Sequence, residues 1–104
     1  MRLNIEQPND SPLNVLRRSG YAFLRKDDRT GELSFVKRVS NGDYPRFHVY
    51  AKQDEKGNVQ ISLHLDQKKA SYEGVTAHSG EYESSENKWL AQEAETIKKE
   101  FGQS

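Results

Sequence analysis

Two segments alternate strictly in polarity, Arg46-Phe47-His48-Val49-Tyr50-Ala51-Lys52 and Val59-Gln60-Ile61-Ser62-Leu63-His64-Leu65-Asp66. Folded on one another around Asp54-Glu55-Lys56-Gly57-Asn58, they set Phe47, Val49 and Ala51 against Leu65, Leu63 and Ile61 on one face. Arg46, His48 and Tyr50 meet Asp66, His64 and Ser62 on the other. A strand period of two keeps these faces apart, so one is core and the other a dense polar patch. Gly57 suits the left-handed position of a three-residue hairpin loop. A two-residue loop at Lys56-Gly57 would slip the register by one and bring Phe47 opposite Asp66.

The neighbouring segments extend this sheet. Tyr21 to Arg25 reads as a strand, followed by the turn-rich stretch Lys26 to Glu32 and a strand from Leu33 to Val39. For the next turn, Ser40-Asn41-Gly42, a two-residue Asn-Gly turn pairs Val36 with Phe47. A three-residue loop with left-handed Gly42 instead pairs Phe35 with Phe47 and Leu33 with Val49. The second is preferred because it gathers the four apolar residues on one face. Ser34, Val36 and Arg38 then share the face of His48.

Helices are expected at both ends. Ser11 serves as an N-cap and Pro12 as the first helical residue of a short helix ending at Gly20. Arg17 and Arg18 sit where cations favour the helix dipole. Residues 1–10 read as an extended lead-in, and Gln67 through Glu83 as a long loop that can add a short strand near Val75. From Ser84 or Ser85, the residues Leu90, Ala94, Ile97 and Phe101 recur at helical spacing up to Gly102, with Trp89 flanking the stripe. The expected fold is one α+β domain over residues 1–104. It has an antiparallel sheet of about four strands, a short N-terminal helix and a longer C-terminal helix packed on one face.

Composition narrows the function. Hydrophobic residues make up 33% and mean hydropathy is -1.02, which implies a thin core. Sixteen basic and sixteen acidic residues cancel, which speaks against binding driven by many phosphate contacts. With no cysteine there is no disulfide and no thiolate chemistry. No apolar run has the length of a membrane span or signal sequence, so a cytoplasmic protein without membrane association is expected.

The candidate site is the polar hairpin face. His48, His64 and Asp66 lie together there, and His78 and Glu81 can arrive from the long loop. Opposed imidazoles can converge on a divalent metal, with His78 or an acid completing the set, although no His-Glu-x-x-His or carboxylate-loop motif is present and no cofactor is assigned. Alternatively, Arg38 and Arg46 can hold a phosphate or carboxylate, with His48 and His64 as proton donors and Tyr50 or Tyr44 as a stacking group. Adjacent arginines and aromatics also suit single-stranded RNA. The purely structural alternative makes Arg46–Asp66 a cross-strand ion pair and has Tyr50 cap Ser62. His78-Ser79-Gly80-Glu81 lacks the Gly-x-Ser-x-Gly of a nucleophile elbow and reads as a turn.

The helix ending Leu16-Arg17-Arg18-Ser19-Gly20-Tyr21, followed by antiparallel strands and a helix, resembles the double-stranded-RNA-binding fold used by small messenger-RNA-cleaving toxins. The resemblance covers the first helix and the element order. The Gly-Ser-His pattern of those toxins is not reproduced by Leu24-Arg25-Lys26, so no catalytic residue is carried across. The expected function is a ligand- or partner-binding module, its partner a protein or a small anionic ligand, or RNA, held by Arg38, Arg46, His48, Tyr50, His64 and Asp66. The alternative is a small RNA-cleaving or metal-assisted hydrolase using His48, His64 and His78.

Overall fold

The computed structural model describes residues 1–67 and 79–103, with side chains for 1–67 and 88–103. Its elements are β1 (Arg2–Ile5), α1 (Pro12–Arg18), β2 (Ala22–Lys26), β3 (Leu33–Arg38), β4 (Arg46–Gln53), β5 (Val59–Asp66) and α2 (Ser79–Glu100). The strands form one antiparallel sheet in the order β1-β5-β4-β3-β2, with both helices packed on its apolar face. The fold is therefore α+β, with five strands where four were expected. The strand before α1 also departs from a helix-first element order.

The β4–β5 hairpin has the expected register, with Phe47 opposite Leu65, His48 opposite His64 and Ala51 opposite Ile61. Its loop closes as Asp54 and Asn58 join through a backbone hydrogen bond of 2.9 Å, with Gly57 at φ +90°. Asp54 Oδ1 accepts from the amides of Lys56 and Asn58, each at 2.9 Å, so the turn also supplies its own side-chain acceptor.

The β3–β4 connection differs from the expectation. Phe35 pairs with Val49 and Leu33 with Ala51, two residues from the anticipated register, because the chain uses all of residues 39–45 to turn. Gly42 is not left-handed, and the loop is closed by Val39 N donating to Pro45 O at 3.1 Å. A slip of two preserves the faces, so Ser34, Val36 and Arg38 still share the side of His48.

The supposed lead-in contains a strand. Arg2-Leu3-Asn4-Ile5 alternates, and its pairing with β5 buries Leu3 against the core and Ile5 completely. At the opposite edge, β2 is exposed throughout and carries a bulge between Phe23 and Arg25, which leaves Leu24 as the extra residue.

α1 begins as expected: Ser11 Oγ accepts from Asn14 N at 3.2 Å and Pro12 occupies the first turn. It ends with Gly20 at φ +95°, while Tyr21 N donates to Leu16 O and Gly20 N to Arg17 O, the pattern of a Schellman cap. α2 starts at Ser79, earlier than the expected Ser84 or Ser85, and ends in a second cap at Gly102. Ala94, Ile97 and Phe101 are buried as the spacing required, Leu90 packs at the margin, and Trp89 is partly exposed. The strand expected near Val75, His78 and residues 68–78 of the long loop lie outside the described residues, as does the Glu81 side chain. No described helix is long and apolar enough to cross a membrane.

Candidate functional site

The sheet register lays the polar face out in four rungs. Asp66, Arg46 and Arg38 form the first; His64, His48, Val36 and Ala22 the second; Arg2, Ser62, Tyr50, Ser34 and Arg25 the third; Asn4, Gln60 and Lys52 the fourth. The face is rich in cations although the whole chain is neutral, because the segregation of polar side chains concentrates arginines on one side of the sheet.

Within this layout Arg46, His48, Tyr50, His64 and Asp66 of the predicted residues come together, with specific partners. His48 Nε2 lies 3.0 Å from Ser34 Oγ, and His48 Nδ1 lies 3.4 Å from Asp66 Oδ2. The Tyr50 ring stacks on His48 with centroids 4.5 Å apart and an angle of 26°. The same ring meets His64 edge-on at 6.0 Å. Ser62 Oγ is not capped by Tyr50; it pairs with Nε2 of His64 at 3.0 Å on its own strand.

Arg46 and Asp66 form the anticipated cross-strand pair, with Nε 3.6 Å from Oδ2. That distance is too long for a hydrogen bond, and the shielded Nε has no other hydrogen-bond partner among the described residues. The Arg46 guanidinium also lies 4.8 Å from the Tyr44 ring centroid. Arg38, at the end of its rung, makes an exposed 3.9 Å contact with Asp43.

The two imidazoles occupy different electrostatic settings. Partial burial, then the charges of the amino terminus and of His48, hold the His64 imidazole below its ordinary value of 6.5, against an opposing pull from Asp66. His48 has its two ring nitrogens beside Ser34 Oγ and Asp66 Oδ2. No group of three or more metal-ligating side chains occurs among the described residues, and His78 lies outside them.

The sequence reading missed one end of this face. A depression of about 540 Å³ opens there, lined by Arg2, Asn4, Glu32, Tyr50, Lys52, Gln60 and Ser62 among others. Tyr50 and Ser62 join it to the histidine rung. Arg2 and Asn4 were legible only as the polar half of the short alternation Arg2-Leu3-Asn4-Ile5, which acquires its meaning once β1 pairs with β5.

No protein-family model matches the chain, and no curated protein matches it significantly.

Proposed function

We propose that this protein is a binding module whose polar sheet face receives a small anionic ligand. The observation that carries this reading is the depression between Arg2 and Lys52, on the side of the sheet away from the helices. Its two cations can neutralise a phosphate or carboxylate. Asn4, Gln60 and Ser62 supply neutral donors, and the Tyr50 ring offers an apolar wall. Glu32 also lines the depression and repels a bulky polyanion, so a compact anion fits better than an extended one.

Inorganic phosphate, titrated while amide chemical shifts are recorded, tests the reading. Saturable shifts are expected at residues 2–4, 50–52 and 60–62, weakening with added salt as surface charges are screened. They should vanish in an Arg2→Gln/Lys52→Gln variant. Shifts that persist in that variant, or no saturable response in the wild type, would remove the proposed site.

A further inference from the structure

A diagonal of three side chains crosses β3, β4 and β5. Ser34 Oγ is 3.0 Å from His48 Nε2, and beyond the ring His48 Nδ1 is 3.4 Å from Asp66 Oδ2. The tautomer with its proton on Nδ1 suits both ends: Asp66 lies beside that nitrogen at ion-pair distance, and the Nε2 lone pair is free to accept the serine hydroxyl proton. The Tyr50 ring stacks on His48, and the Arg46 guanidinium faces Asp66 across the ladder at 3.6 Å, an electrostatic contact without a hydrogen bond. Hydroxyl, imidazole and carboxylate thus stand in the order of nucleophile, base and orienting group.

We propose that Ser34 is a nucleophile activated by His48, and that the protein hydrolyses carboxylic esters with small acyl groups. Ser34 is only 7% exposed and lies between Arg25 and Tyr50 across its two ladders. With so little of Ser34 exposed, a small acyl group such as acetyl is the substrate that fits this position. Arg25 is an exposed cation opposite Ser34 on the same face.

In the first half-reaction Ser34 Oγ bonds to the ester carbonyl carbon while its proton passes to His48 Nε2. The carbonyl re-forms, the bond to the leaving oxygen breaks, and that oxygen takes the proton from His48. Water then adds to the acyl-serine by the same route, releasing the carboxylic acid and restoring the hydroxyl. Asp66 is a positioning residue throughout. This activity is separate from anion binding at Arg2 and Lys52.

The test uses p-nitrophenyl acetate, with acid-quenched mass spectrometry to find acetyl on Ser34. Exposed imidazoles also cleave this ester slowly, so the decisive comparison is with Ser34→Ala. The wild type should show nitrophenolate release with acetyl-Ser34, Ser34→Ala should fall to the imidazole background, and His48→Gln should lose at least about 100-fold in kcat. Asp66→Asn should lower kcat and displace the pH profile at unchanged melting temperature, with partial rescue by Asp66→Glu. Hydrolysis by Ser34→Ala at the wild-type rate would overturn the proposal, as would natively folded wild type with neither adduct nor release above background. Phosphate-induced shifts in Ser34→Ala report on the anion site independently, so the two readings fail separately.

Discussion

Lys37 and Glu93 form an ion pair on the helix side of the sheet, at a β3 position whose neighbour across the ladder is the core residue Phe47. Glu93 is only 8% exposed and also accepts a 2.7 Å hydrogen bond from the Tyr21 hydroxyl. Lys37 Nζ donates to Ser19 O at 3.3 Å and lies 4.9 Å from the Tyr21 ring centroid. Burial, followed by the Glu93 carboxylate, pushes the Tyr21 phenol far above its ordinary range, so it remains a neutral donor. These contacts explain how a lysine is tolerated facing inward.

Removing one member of this cluster should cost more than removing the pair. Tyr21→Phe strips a donor from a buried carboxylate and should lower stability by about 1–3 kcal/mol. Lys37→Met should cost a similar ~1–3 kcal/mol, less than for a fully buried pair because Lys37 retains some solvent contact. The double variant Lys37→Met/Glu93→Leu should recover most of that loss. Urea unfolding of the wild type, Lys37→Met, Glu93→Leu and the double variant measures the coupling, and simple additivity would contradict it.

Acid should weaken the fold through His64. Its folded-state value is depressed, so the unfolded chain takes up the proton first and stability rises with pH across the interval. The contribution is complete above the ordinary value of 6.5 and is lost as pH falls from there through the folded-state value. Melting temperatures between pH 7 and pH 5 should therefore decline in the wild type and decline less in His64→Gln. His48→Gln, which removes the opposed charge, should flatten the profile too.

The first strand should contribute like a core element. Ile5 is fully buried, and Ile5→Ala should cost about 2–4 kcal/mol. The adjacent exposed change Glu6→Ala should stay within about 0.5 kcal/mol. Equal effects in chemical denaturation would show that β1 does not hold its place on β5.

The two hairpin glycines should respond differently to alanine. Gly57 sits at φ +90°, where a side chain is strained, so Gly57→Ala should destabilise by ~1 kcal/mol or more. Gly42 has no positive φ, and an added Cβ would meet Tyr44 O at an ordinary 3.6 Å. Gly42→Ala should be neutral or slightly stabilising in the same thermal melt.

These glycines also show how far the sequence could be read. The β4–β5 register was legible because face segregation and a left-handed loop residue demanded the same pairing. The β3–β4 register was not, because Gly42 suits the left-handed position of a three-residue loop, whereas it takes no positive φ and the chain closes through Val39 and Pro45. The faces survived that error because the displacement was even.

The polar site was legible in part for the same reason: opposed histidines follow directly from the hairpin. Their actual partners, Ser34 on one strand and Ser62 on another, depend on rotamers that alternation does not specify. Lys37 was illegible as an inward residue because its acceptor, Glu93, lies on the last helix. Arg2 was obscured because two apolar residues make too short an alternation to distinguish a strand from an extended tail.

The bulge at Leu24 gives the sheet an asymmetric boundary. It breaks the regular spacing of amides along the outer edge of β2, while the opposite edge is closed by a strand of four residues. Neither border offers a long, flat template for another strand, so lateral growth into stacked assemblies is discouraged.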